Sequence, residues 1–225
     1  MSQLAVVRHG SVDARLVSLL SPGDRERFAS FGGDTEREGR FLAGRAALRS
    51  AAARMGEPGI VVQAGCPECG LSHGRPTAGL DGASRSLYLA LTHCGGVAIA
   101  VASRRPVGID AEPVSTSSER RAAIDELAPG RGDAVQRWTA IEAVLKADGR
   151  GLRLPPDAVR LGMPRFGMPR FGMPGIARRS ARLDGRRYGL RTMRLGGCIV
   201  TVATERANSA DRAIAGPQDS AGNAV

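Results

Sequence analysis

The segment RWTAIEAVLKADGRGL, residues 137 to 152, holds the only lysine and the only tryptophan of the chain. Glu142 and Lys146 stand four apart in it, so on a helix they share a face. As an exposed ion pair they contribute only about 0.3–0.5 kcal/mol, and arginine would serve equally well. All but one of the 32 Lys and Arg residues are arginine, so the exception asks for a chemical reason. Lysine offers a compact ammonium whose pKa burial can lower, and therefore a proton donor that a guanidinium is not. Upstream, in VGIDAE (residues 107–112), Val107 and Ile109 alternate with Gly108 and Asp110. Asp110 and Glu112 are two apart, and on a strand both carboxylates leave one face. Two hard oxygen donors side by side suit Mg²⁺, which completes its shell with water and phosphate oxygens. A pair of simply solvated acids at a strand end reads the same way.

A second cluster is CPECGLSH, residues 66 to 73. Cys66, Cys69 and His73 have the beginnings of zinc spacing, but a single Cys-x-x-Cys without a second pair fits free thiols in a loop as well. Cys94 is a fourth ligand only if its turn lies beside this loop. The four cysteines are too few and too unevenly spread for a disulfide framework, and reduced thiols are expected.

These residues need elements to hold them. Thr35 to Glu38 reads as a capping box opening a helix that stops near Gly56. The following glycine- and proline-dense stretch predicts no regular structure beyond the short strand IVVQ. SLYLALTH and GVAIAVAS form a hairpin around His93 to Gly96, and VGIDAE is a further strand. Residues 118 to 127 read as helix, and Asp133 with Gln136 caps a helix that Gly149 closes after Asp148. RRYGLRTMRL and CIVTVAT form a closing hairpin. Each half runs from helix to strands, which predicts an α+β fold of two similar α/β lobes in pseudo-twofold arrangement, with the active site at their interface. The N-terminal lobe spans residues 1–106 and the C-terminal lobe 107–204. A repeat loop, GMPRFGMPRFGMPGI, occupies 162–176, where a proline in every five-residue unit rules out a helix. It is either a tolerated duplication or an apolar lip for a partner. A small, polar tail over 205–225 is expected to be disordered.

A formal net charge of +10 raises nucleic acid as a partner, but 4% aromatic residues leave little for base stacking. Ten arginines and one acid, Asp184, fall between Arg160 and Arg194, giving a basic face for an acidic protein or a phosphorylated molecule, or a merely solvated one. No apolar run is long enough for a membrane span and no secretion signal opens the sequence, so a cytoplasmic protein is expected.

Taken together, VGIDAE and WTAIEAVLKADGRGL resemble the two signature motifs of the Sfp-type 4′-phosphopantetheinyl transferases, which activate polyketide and nonribosomal peptide synthetases. CGLSHGRP and LTHCGG are similar to that family's coenzyme A-binding segments, and the likeness covers roughly residues 25 to 204. It implies a Mg²⁺-dependent transfer of the 4′-phosphopantetheine arm from coenzyme A to a serine of an apo acyl or peptidyl carrier protein, with release of adenosine 3′,5′-bisphosphate. Asp110, Glu112 and Glu142 would be the metal carboxylates, and Glu142 and Lys146 the catalytic pair, with Glu142 open to a second role as base. Arg40, Arg45, Arg75, His93 and Lys146 would bind coenzyme A, with Arg49 a weaker candidate. The implied protein is a monomer with no membrane partner and no call for nucleic acid. Where many members carry lysine before the metal glutamate, this chain has Ile141. Trp138 reads as a core anchor. The competing expectation is a catalytically inactive basic module on the same fold, binding nucleic acid or an acidic protein.

Overall fold

The computed structural model describes residues 2–10, 14–79, 87–163 and 179–207. Most of the repeat loop and the end of the tail lie outside these. The elements are β1 (Ser2–Arg8), α1 (Pro22–Ala29), α2 (Thr35–Ala53), β2 (Val61–Gly65), β3 (Ser72–Gly79), β4 (Tyr88–Cys94), β5 (Val97–Ser103) and β6 (Val107–Pro113). They continue with α3 (Ser118–Leu127), α4 (Ala134–Asp148), β7 (Arg160–Leu161), β8 (Arg179–Leu183), β9 (Arg186–Leu195) and β10 (Cys198–Glu205). The fold is mixed α+β, with two five-stranded antiparallel sheets.

The first sheet has the order β1-β5-β4-β3-β2 and the second β6-β10-β9-β8-β7. Adding five to each strand number of the first order gives the second, and a pair of helices follows the first strand of each set. Helix α2 packs its alanine-rich face on the first sheet, burying Ala43, Ala47, Leu48 and Ala51 against Leu89, Ala98 and Ala100. Helix α4 does the same on the second, where Ala140, Val144 and Leu145 meet Leu183, Tyr188 and Leu190. Small residues on these helix faces let helix and sheet approach closely. A third cluster joins the sheets: Ala90, Ile99 and Val101 pack with Val107, Ile109, Val200 and Val202.

Local chemistry sets the helix ends. Asp133 accepts a hydrogen bond from the Gln136 N–H at 2.9 Å, and Gly149 closes α4 at φ 97°, a left-handed conformation that glycine adopts without a Cβ clash. At α2 the expected box shifts by one residue. Asp34, not Thr35, caps by accepting from the Arg37 N–H at 3.1 Å, while Glu38 reaches back to the Gly33 N–H. Trp138 packs half-buried between the α4 core and the cluster around Ile124 and Val135, as an anchor should.

Two expectations are corrected and one element not expected from sequence is added. The glycine- and proline-dense stretch does contain a second strand, β3, which pairs with β2 across an irregular register between Gln63 and Gly65. Its backbone comes so close there that a Cβ at Gly74 would lie 2.3 Å from the Gly65 carbonyl oxygen. The opening segment is also a strand, β1, paired along β5. Finally, Cys94 and Cys198 are not reduced thiols but a disulfide, with S–S 2.05 Å and Cα–Cα 6.4 Å. The packing of the two sheets brings together cysteines 104 residues apart in sequence, a proximity that spacing along the chain does not reveal.

Candidate active site

Strand β6 and helix α4 build the centre. Gly108 is the contact point: a Cβ there would lie 2.0 Å from the Ala143 carbonyl oxygen and 2.4 Å from the Ala147 nitrogen. With no side chain in the way, α4 lies directly on the strand. One turn of α4 then stands over Asp110, two residues further along β6. Lys146 Nζ donates to Asp110 Oδ1 at 2.6 Å and lies 3.9 Å from Glu142 Oε2. The i, i+4 partner read from sequence is thus the more distant one, and the strand carboxylate holds the ammonium. Asp110 is buried at 7% exposure, and Thr92 Oγ1 approaches the same oxygen at 3.5 Å.

Burial, with Asp110 and Glu112 adding their negative charge, pushes the Glu142 carboxyl above its ordinary pKa, although Lys146 opposes the shift. The three acids and the lysine therefore sense one another. Glu112 is engaged from outside by Arg120, Nη2 to Oε1 at 2.6 Å, a half-exposed guanidinium on α3 that sequence reading did not single out.

On the facing sheet, Arg75 projects from β3 toward the same elements, with Nη2 at 3.4 Å from the carbonyl oxygens of both Val107 and Ala147. Together with Lys146, Gly149, Arg150 and Arg153 it lines a cavity of about 940 Å³. A smaller cavity of about 350 Å³ shares Gly74, Pro76 and Leu91 with it and is lined by Arg27, Arg37, Arg40, Arg45 and His93. The two form a groove whose walls carry seven guanidinium groups beside the lysine, suited to a ligand bearing several phosphates.

His93 ends β4 beneath α2. A Cβ at Gly44 would come within 3.4 Å of its ring and 2.9 Å of Leu91, so glycine at that helix position makes room for the imidazole. Its Nδ1 pairs with His9 Nε2 at 3.0 Å. Burial, followed by the positive charges of Arg40, His9, Arg45 and Lys146, holds its pKa down at about 4. His93 is therefore neutral at physiological pH, able to donate or accept a hydrogen bond but not to add charge.

The two helix arginines separate in role. Arg40 lines the smaller cavity. Arg45 is buried and already spoken for: Nε and Nη2 bind both oxygens of the wholly buried Asp24 at 2.6 and 2.7 Å, and its guanidinium stacks 4.5 Å from the Phe41 ring centre. Ser72 Oγ adds a third bond to Asp24 at 2.6 Å, tying α1, α2 and β3 together. Arg49 donates to the Ile60 carbonyl. His9, Asp24 and Thr92 were absent from the sequence reading, and no local pattern marks them, because each acts through a partner far along the chain.

A scan against protein-family models and a search of curated proteins return no match to the chain. Among the described residues no helix is long and apolar enough to cross a membrane.

Proposed function

We propose that the chain is a 4′-phosphopantetheinyl transferase, acting on coenzyme A and the serine of an apo acyl or peptidyl carrier protein. The observation that carries the reading is the lone lysine held 2.6 Å from Asp110 and 3.9 Å from Glu142, at the edge of an arginine-lined groove. The shared strand order of the two sheets supports the finer reading that two lobes are related by a pseudo-twofold axis, with the site between them.

The donor set fits a hard divalent cation. Asp110, Glu112 and Glu142 bring three carboxylates whose mutual repulsion is felt at Glu142, an excess of negative charge that a Mg²⁺ ion relieves. Bound there, Mg²⁺ would supply Lewis-acid polarisation of the pyrophosphate oxygens. The chain's own groups carry the remaining steps. Arg40 and Arg75 bind phosphate oxygens of coenzyme A, and neutral His93 hydrogen-bonds the nucleotide portion. The carrier serine oxygen forms a bond to the phosphorus bearing the pantetheine arm as the bridging P–O bond breaks. Glu142, whose raised pKa makes it a better base than an ordinary carboxylate, takes the serine proton directly or through water. Lys146 neutralises or protonates the departing phosphate of adenosine 3′,5′-bisphosphate.

The test is incubation of the protein with coenzyme A, Mg²⁺ and an apo carrier, read by mass spectrometry of the carrier. A mass increase of one phosphopantetheine is expected, and Asp110→Ala should abolish it while leaving the circular dichroism spectrum unchanged. An unmodified carrier across several acyl and peptidyl types would overturn the assignment in favour of a binding module.

A further inference from the structure

The turn between β2 and β3, with the start of β3, carries the Cys66, Cys69 and His73 triad, which the proposed transfer does not use. Its ligand atoms, two Sγ and one imidazole nitrogen, all lie within 4.8 Å of one another, with Cys69 Sγ 2.9 Å from His73 Nε2. In a tetrahedral zinc site, with Zn–S of about 2.3 Å and Zn–N of about 2.0–2.1 Å, ligand atoms stand about 3.5–3.8 Å apart. The cluster is compact enough to close on an ion, with Cys69 and His73 in hydrogen-bond contact that a metal would replace.

The backbone is shaped to match. Gly70 turns at φ 74°, and its N–H donates to the Cys66 carbonyl at 2.8 Å, while the Cys66 N–H donates to Leu71 at 2.8 Å. The N–H groups of Glu68 and Cys69 are directed at the Cys66 sulfur. The turn has no core of its own: Cys69 and His73 are exposed, and Leu71 is 65% exposed. Yet it is anchored at a place that matters, because Glu68 pairs with Arg153 across the large cavity at 2.7 Å. His73 also precedes Arg75 by two positions on β3, so the two side chains leave the same strand face.

We propose that Cys66, Cys69 and His73 bind one Zn²⁺ that fixes the β2–β3 turn as a wall of the groove. Two thiolates and an imidazole select a borderline-soft ion over Mg²⁺. The disulfide removes Cys94 as a fourth ligand, and no other His, Cys, Asp or Glu among the described residues joins the triad, so water takes the fourth corner. Metal binding here is independent of the transferase reading and requires no activity to detect.

The test uses the untagged full chain, stripped with chelator, reloaded with Zn²⁺ and desalted, with metal measured by mass spectrometry. One zinc per chain is expected, falling by at least tenfold in occupancy in Cys66→Ser and Cys69→Ser. Substitution by Co²⁺ should give the thiolate-to-metal charge-transfer absorption, which a carboxylate site does not produce, and each serine variant should weaken it. If a serine variant fails to fold, His73→Gln on the exposed strand face supplies the same comparison. Sub-stoichiometric zinc in the native chain, undiminished zinc in the variants, or a Cys66–Cys69 disulfide in the freshly purified protein would each overturn the proposal.

Discussion

On the proposed transferase reading, Lys146 sits where arginine should not substitute. Its ammonium is held at 2.6 Å by Asp110 and stands within reach of Glu142. Lys146→Arg keeps the charge, but the planar group is larger and does not give up its proton. It should lower kcat on the order of 10²–10³-fold with a smaller change in coenzyme A affinity, as steady-state kinetics on an apo carrier would show. A near-native rate would reduce Lys146 to a structural ion. His93 makes a separate prediction about pH. Unfolded, it takes up a proton near pH 6.5, whereas in the fold it remains neutral down to about pH 4. Between these values the unfolded chain binds more protons, so stability falls as pH falls, by at most about 1.4 kcal/mol per pH unit. The neighbours that oppose its protonation are Arg40, His9, Arg45 and Lys146. His93→Gln should flatten this acid limb in urea titrations between pH 6.5 and 4, and an unchanged slope would show that the imidazole is not insulated.

Between elements, one glycine governs whether helix and strand meet. Gly108→Ala would drive a methyl group into the α4 backbone at Ala143 and Ala147, where neither neighbour is a flexible side chain. Destabilisation of about 3 kcal/mol or more, or failure to fold, is expected in chemical denaturation. Gly59→Ala, which meets nothing within 4 Å, should change stability by less than about 0.5 kcal/mol. Elements of this kind were readable where their signal is local. The Asp133 and Gln136 cap, the Gly149 stop, the hairpin around Gly95 and Gly96 and the strand VGIDAE all follow from residues within a few positions of each other. Strand β3 escaped because Gly74 and Pro76 oppose strand propensity, and its pairing with β2 supplies what propensity lacks. The same limit applied within the site. Sequence spacing joins Glu142 to Lys146, but the strand lying under α4 makes Asp110 the closer partner. Arg45 read as a phosphate ligand because its buried partner, Asp24, lies 21 residues away on another helix.

At the level of the whole molecule, the first and second sheets pack through one apolar cluster and are joined covalently by the peptide link from Ser103 to Val107 and by the Cys94–Cys198 bond. Thiol titration of the denatured, unreduced and metal-free chain should therefore find two free thiols, Cys66 and Cys69, not four. Opening a loop with a sequence separation of 104 should cost about 2–5 kcal/mol, so Cys94→Ser with Cys198→Ser should shift the denaturation midpoint to lower denaturant. Four titratable thiols and an unaltered midpoint would show that the bond does not form. The two tethers are not side by side. The peptide link enters β6 at Val107, which faces Thr204, and the disulfide holds β10 at Cys198, which faces Pro113 at the other end of the same pair. Six strand steps of about 3.3 Å separate them, or about 20 Å. A body pinned to another at two separated points keeps a single freedom, rotation about the line through the pins, as a door does on its hinges. Sliding and twisting of one sheet past the other should be opposed by both tethers. Any widening of the groove between Arg75 and Lys146 must then be a swing about the β6–β10 edge, with the largest travel for the residues farthest from it.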